Sequence, residues 1–446
     1  MNDQLYATIE DTVFDSIGCT EPVAVAYAAT AAYQHVGGTV SSIECMISVN
    51  VLKNAMSVGI PGSDRKGIPY AVALGVSGGD WTKGLELFEG VDEQKSAEAA
   101  ELASRGIIDI SLYTGGEKIY IYTKVRSDRG VAEALIRGGH DTLEWIKVDG
   151  ETVYGDNPGT GVDTEAQTET SGREEQVLSY TELEGLSMEE LVRMVEKLEE
   201  GRLEYLVEGV EINRRAAEHG LKSSPAMALG SGLASLAEEG ISDHSLSSMV
   251  AQYVAAAADS RMGGGMIHIK GCAGSGNHGI TYFLTAGLAY ERHRRKAVRS
   301  LARTLAMGLL IVRYVKAYTG LLTPTCGVTV SAAPAAAAAI VYALGGTPDQ
   351  MTAAVKLIYG NIAGILCDGA KHGCALKSST SARTAIEAAF LALRGVEIPE
   401  SDGIVDRDLP SSLEHLRRLQ NEGLMDADKT MLDILTEKAE RLDGSV

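Results

Sequence analysis

Cationic charge is in short supply. Against 60 Asp and Glu the chain carries only 40 Lys and Arg, a formal net charge of −20 with an isoelectric point near 4.9. Nucleic-acid binding needs clustered Lys and Arg to replace phosphate counterions, so no nucleic-acid partner is expected and the acidity reads as solubility. Long apolar runs are missing too. The most apolar stretch, Val328 to Leu344, is mostly alanine and is broken by Ser331 and Pro334, which leaves it short of a membrane span. The opening Met1-Asn2-Asp3-Gln4-Leu5 has neither the basic nor the apolar part of a secretory signal, so a cytoplasmic location is expected. There is no P-loop and no dinucleotide-binding fingerprint. Six cysteines in 446 residues are too few for a disulfide scaffold, which leaves metal binding or catalysis as their chemical uses.

What is present suits two domains, because the length exceeds what one hydrophobic core usually serves and 45% apolar residues can fill both. Leu5, Ile9, Val13 and Ile17 recur at helical spacing and predict a first helix over 3–17, ended by Gly18. Thr20 as cap and Pro22 in the first turn open a second helix to about His35. Strand patterns follow at Ser42–Asn50, Ile107–Leu112, Lys118–Val125 and Leu143–Val148, with a helical pattern at Gly130–Arg137 between the last two. Residues 40–155 therefore read as an inserted α+β domain. Between Asp163 and Glu190 nine acidic residues face one arginine, so 156–186 reads as a solvated acidic linker. From 187 to 446 the chain is helix after helix, with Ala-rich faces that allow close packing. The fold class expected is mainly α: an all-α helical catalytic domain, to which the N-terminal helices of 1–39 also belong, with the α+β insertion.

The polar loops between the helices hold the chemistry. Cys367 and Cys374 lie in one loop, Cys367-Asp368-Gly369-Ala370-Lys371-His372-Gly373-Cys374, and Cys326 lies in another break at Thr325-Cys326-Gly327. Thiolates converging on a point suit zinc, copper(I) or an iron–sulfur cluster, and three of them leave one position open for substrate. For any one cysteine the plainer reading is a small buried hydrophobe, and Cys45, within a strand, is expected in the core. Cys19 sits beside the N-terminus of the second helix, where partial positive charge lowers a thiol's pKa. A base, a fourth ligand and a packed turn residue are all open to it. Gly271-Cys272-Ala273-Gly274-Ser275-Gly276-Asn277-His278 precedes an apolar run and offers small residues at a helix N-terminus, a ready anion site. Gly59-Ile60-Pro61-Gly62-Ser63-Asp64-Arg65-Lys66-Gly67 adds two cations on a Gly-rich turn that could hold a carboxylate.

Gly18-Cys19-Thr20-Glu21-Pro22, Ser57-Val58-Gly59-Ile60-Pro61-Gly62, Arg65-Lys66-Gly67, Gly274-Ser275-Gly276-Asn277, Thr325-Cys326-Gly327 and Cys367-Asp368-Gly369-Ala370-Lys371 occur in that order. In this the chain resembles the L-cysteine desulfidase family of the UPF0597 type, a relative of the iron–sulfur L-serine dehydratase alpha subunit, from about residue 5 to about residue 395. The resemblance implies an oxygen-sensitive [4Fe–4S] cluster and conversion of L-cysteine to pyruvate, ammonia and sulfide. On it, Cys326, Cys367 and Cys374 become the cluster ligands and Cys19 the base. Cys19 in the cluster with Cys374 outside is the alternative, disfavoured because Cys367 and Cys374 share one short loop. Ser275 and Asn277, with Arg65 or Lys66, become the partners of the substrate's carboxylate and amine. His278 stands where the family usually has Gln, and Cys272 is an additional thiol. A small amino acid is the expected partner, with no nucleic acid or membrane and homo-oligomerisation left open. L-Serine dehydration on the same cluster, a non-catalytic iron–sulfur sensor and a pyridoxal-phosphate lyase are the competing readings.

Overall fold

The computed structural model describes residues 2–63, 65–155, 177–223 and 226–443. It is mainly helical around one six-stranded sheet and one two-stranded ribbon. The first helix, α1 (Asn2–Thr12), is shorter than the apolar spacing predicts, and Val13–Ile17 is a strand, β1. β1 pairs antiparallel with β8 (His268–Cys272), Val13 opposite Cys272, across more than 250 residues of sequence. Branched and aromatic residues such as Val13, Phe14 and Ile17 favour a strand once a partner is present, and that partner is invisible locally. The helical half of the chain is thus not free of strands.

Helix α2 (Thr20–Val36) follows, then β2 (Val40–Ser48), α3 (Val49–Ala55), α4 (Ile68–Gly78), α5 (Glu93–Ser104) and β3 (Ile108–Tyr113). A meander of β4 (Tyr120–Ser127), β5 (Gly130–Arg137), β6 (Leu143–Val148) and β7 (Glu151–Gly155) completes the sheet in the order β3-β2-β4-β5-β6-β7. Only β2 and β3 are parallel, joined by the crossover that carries α3 to α5. The helical reading of 130–137 is corrected: β5 is hydrogen-bonded on both sides, to β4 and β6. Ladder pairing on two edges outweighs a short local pattern. α2 also sits differently from the expected domain scheme. Its Ala- and Val-rich surface packs in the core of the sheet with α4, whereas Leu5 and Ile9 of α1 pack in the helical core.

Of the expected acidic linker, 156–176 lie outside the described residues. Leu178 and Leu183 are buried in the helical core, so the last part of 156–186 is packed structure. The helices that follow are α6 (Tyr180–Leu183), α7 (Met188–Glu196), α8 (Leu206–Lys222), α9 (Leu229–Glu238), α10 (Leu246–Met262), α11 (Gly276–His293), α12 (Leu301–Thr319), α13 (Ala333–Ala343), α14 (Pro348–Ile362), α15 (Cys374–Ala392), α16 (Leu409–Arg418) and α17 (Ala427–Asp443). Their alanine faces are buried, Ala255 to Ala258 in α10 and Ala335 to Ala339 in α13.

Pro334 has no N–H to give to the carbonyl of Val330, and the Tyr359 hydroxyl donates to that oxygen instead at 3.1 Å. Around this point Val328–Ala332 form a wider π-turn directly after the Cys326 loop. Such turns re-aim the residues around them and recur at functional sites. Among the described residues no helix is long and apolar enough to cross a membrane.

Candidate active site

Four of the six cysteines line one cavity of about 90 Å³, several times the roughly 10–15 Å³ that one water needs. They are Cys19, Cys326, Cys367 and Cys374, and with them stand Glu21, Lys53, Arg261, Ser275, Asn277 and His278. The cavity lies where the sheet half and the helical half meet.

Two loops build the thiol side. Cys326 N–H donates to the Ile365 carbonyl at 2.7 Å and Cys367 N–H to the Pro324 carbonyl at 2.8 Å, so a two-stranded bridge zips the Cys326 loop to the Cys367 loop. Cys374 is the first residue of α15, and its N–H bonds back to the Lys371 carbonyl at 2.9 Å, which folds the loop between the two cysteines into a turn. Lys53 of α3 ties the loop down, donating to the Cys367 carbonyl at 3.3 Å and pairing with Asp428 of α17 at 2.5 Å. Asp368 is held below the usual carboxylate range by Lys371 and Lys377, whose hydrogen bonds outweigh its burial. Burial pushes the Cys326 thiol up to about 12 and the Cys374 thiol up to about 11, and in both cases the neighbouring Cys367 adds to the rise. Cys367 acts on both of the other thiols, so the three share one electrostatic environment.

Among the described residues, no three His, Cys, Asp or Glu side chains are drawn together as ligands of a single metal ion. The thiolates of an iron–sulfur cluster bind different irons and stand farther apart than ligands sharing one ion. Three soft donors around one cavity, Cys326 buried and Cys367 and Cys374 partly so, fit such a cluster by their chemistry.

The opposite wall comes from the first turns of two helices and the end of a third. Cys19 occupies the N-cap position of α2, one residue before the expected cap Thr20. Its Sγ donates to Glu21 Oε2 at 3.3 Å, and Glu21 Oε1 accepts from Asn54 Nδ2 at 2.8 Å. The expectation that the helix end lowers the thiol's pKa is reversed. Burial comes first and the Glu21 charge second in holding it well above the ordinary thiol value, with Arg261 opposing them. Desolvation of a fully enclosed thiolate outweighs a half-charge at a helix end.

Arg261, 2% exposed at the end of α10, donates through Nη1 to Asn277 Oδ1 and through Nη2 to Thr20 Oγ1, each at 3.2 Å. Its Nε has no partner among the described residues. A methyl group on Gly276 would stand 2.5 Å from the Arg261 Cζ, so only glycine there lets the guanidinium lie across the N-terminus of α11. Ser275, the other polar residue expected from this loop, lines the same cavity. His278 is 4% exposed, and burial holds it well below the usual imidazole range. Lys316 is pushed down to about 8 by burial and donates to the Leu321 carbonyl at 3.0 Å.

The structure does not bring the two predicted cations into the cavity. Arg65 and Lys66 are exposed; Arg65 lies over the Tyr70 ring, and Lys66 Nζ reaches His372 Nε2 at 3.1 Å beside the Cys374 turn. Their glycine-rich loop packs backbone to backbone instead, with Gly59 N–H bonded to the Met262 carbonyl and a Gly59 methyl group 2.7 Å from Gly264 N. That contact braces the end of α10 that carries Arg261. Cys45 and Cys272 are buried away from the cavity lining, and burial pushes both up to about 12. Arg261, Lys53 and Glu21 are the residues sequence reasoning missed. A charged pair, Asp259 and Arg261, at the end of an alanine-rich helix and before Gly263-Gly264-Gly265 was the available signal.

Residues 82–433 match the family described as serine dehydratase alpha chain. A UPF0597 protein of Clostridioides difficile (strain 630) is 31% identical over 422 residues, which are 95% of this chain and 96% of that protein. One of Desulfatibacillum aliphaticivorans is 33% identical over 429 residues, 96% of each chain. One of Desulforapulum autotrophicum is 31% identical over 441 residues, 98% of each. With likeness of this extent in both comparisons, the chain belongs to the UPF0597 family, related to the serine dehydratase alpha chain.

Proposed function

We propose that this protein is a carbon–sulfur lyase, an L-cysteine desulfidase that converts L-cysteine and water to pyruvate, ammonia and hydrogen sulfide. The observation that carries the reading is the convergence of four thiols and a buried arginine on one cavity. Cys326, Cys367 and Cys374 would hold a [4Fe–4S] cluster, which when bound supplies a Lewis-acidic iron with affinity for the departing sulfur. The chain's own residues supply the remaining work. Arg261, which lines the cavity, binds the substrate carboxylate in place of Arg65 and Lys66, and Ser275 and Asn277 orient it. Glu21 Oε2 accepts the Cys19 proton along the existing hydrogen bond, and the thiolate so formed removes the Cα proton; burial and the Glu21 charge oppose that ionisation, and the Arg261 guanidinium together with the substrate's ammonium group are the positive charges that favour it. Loss of the β-sulfur then leaves 2-aminoacrylate, which water converts to pyruvate and ammonia.

The family description favours a second reading, L-serine dehydration at the same site. Protein purified without oxygen, assayed for iron and acid-labile sulfide and given cysteine and serine in parallel with pyruvate as the readout, separates the two. Faster turnover of cysteine supports the desulfidase. Faster turnover of serine makes the protein a dehydratase, and turnover of neither overturns both.

A further inference from the structure

The last described stretch of the chain touches both loops that carry the proposed cluster ligands. Gln420, 3% exposed in the wide turn Leu419–Gly423 after α16, donates through Nε2 to Thr325 Oγ1 at 2.6 Å, next to Cys326. Asp428, in the first turn of α17, accepts from Asn50 Nδ2 at 2.7 Å and from Lys53 Nζ at 2.5 Å. Lys53 Nζ also donates to the Cys367 carbonyl, so Asp428, Lys53 and Cys367 form one chain of bonds. Gly369 completes the contact. Its φ is +88°, and a methyl group there would stand 2.4 Å from the Lys53 carbonyl oxygen and 3.7 Å from Leu435 Cδ1 of α17. Thr325, Cys367, Gly369 and Lys53 all line the cavity. α17 itself is thinly held, since Leu432 is its one buried side chain among the described residues.

A lysine with 1% of its side chain exposed is tolerated only while its charge is paired, and the partner here comes from the C-terminal helix. The negative groups that face Lys53 are Cys367 and Asp428. Without Asp428 the ammonium keeps the Cys367 carbonyl as its one acceptor among the described residues, and any movement toward water draws it off that loop. We propose that segment 420–443 is a clamp that holds the Cys326 and Cys367 loops in the arrangement that retains the cluster, with Asp428 as its positioning residue. A helix with so little buried apolar surface opens ahead of the cores it leans on. Opening of the clamp, with both cores still folded, is then the route by which the cluster is lost.

This inference rests on the cluster of the lyase reading, so the test separates the two. Anaerobic holoprotein of wild type, Asp428→Asn, Asp428→Glu and the double variant Lys53→Met, Asp428→Leu is mixed with a ferrous chelator, and iron release is timed. Hydrogen exchange of the same proteins is followed by mass spectrometry. The expected result is that Asp428→Asn releases iron about tenfold faster or more, as for loss of one charge-assisted hydrogen bond, and that Asp428→Glu recovers part of the difference. Exchange should rise in 365–374 and 427–443 and stay at the wild-type rate in β4 and β5. The double variant replaces a buried ion pair by apolar side chains, a change that usually leaves stability intact, so it keeps the test decisive if Asp428→Asn folds poorly. It too should lose iron faster, because the tie to the Cys367 carbonyl is gone. Wild-type iron release in the double variant overturns the clamp and leaves the lyase reading in place. Faster exchange throughout β4 and β5 also overturns it, because general loosening would then account for the iron lost. Should wild type reconstituted with iron and sulfide hold no cluster, the lyase reading falls and the clamp's role with it.

Discussion

Replacing Cys19 with Ala tests the proton transfer most directly. Cys19 is 1% exposed and makes one side-chain hydrogen bond, to Glu21. Removing its sulfur costs the burial of one atom and one bond, about 1–2 kcal/mol against a total stability on the order of 5–15 kcal/mol. Glu21 keeps Asn54 as a partner, and Val58 and Met262 still pack around the gap. The variant should therefore fold and keep its iron. Losing a general base slows turnover by roughly a hundredfold to ten-thousandfold, about 3–5 kcal/mol on the barrier. The assay is paired: an anaerobic spectrum with an iron count, and solvent-deuterium exchange into Cα of unreacted substrate. Intact cluster, retained binding and lost exchange are expected, and Glu21→Gln should slow exchange in the same direction. Exchange at the wild-type rate in Cys19→Ala would refute the base role. A changed spectrum without substrate would make Cys19 a cluster ligand instead.

Replacing Cys326, Cys367 or Cys374 with Ala should abolish both cluster and activity, since each removes one of three proposed ligands; wild-type iron and sulfide in any of these variants removes that residue from the set. Gly276→Ala should raise KM for cysteine by about tenfold or more with iron content unchanged, because the new methyl group displaces the Arg261 guanidinium; an unchanged KM would take Arg261 out of carboxylate binding. Cys45 and Cys272, pushed up to about 12 from 9.0, should make the protein alkali-sensitive. Folding keeps both thiols protonated, so their contribution is complete below pH 9.0 and is lost as pH rises toward about 12, at about 1.4 kcal/mol per pH unit for each thiol. Melting temperatures from pH 8 to about 11 should fall less steeply in Cys45→Val than in wild type, and identical slopes would contradict the assignment.

The helical class, the loop that joins Cys367 to Cys374 and the helix N-terminus at Gly276 were legible in the residues alone, because spacing, glycine placement and apolar period are local properties. β1 and β5 were not. Each is a strand only because a partner far along the chain, Cys272 for Val13, or two flanking strands, supplies its hydrogen bonds. The cation at the site was decided the same way: Arg65 sits in the more suggestive motif, yet Arg261 is the one that folding buries beside Asn277 and Thr20. For Cys19, position beside a helix N-terminus argued for a lowered pKa, and burial among Val58, Met262 and Glu21 reversed the sign. Whether a side chain keeps its water, and which charge stands opposite it, depends on segments hundreds of residues apart that meet only in the folded molecule.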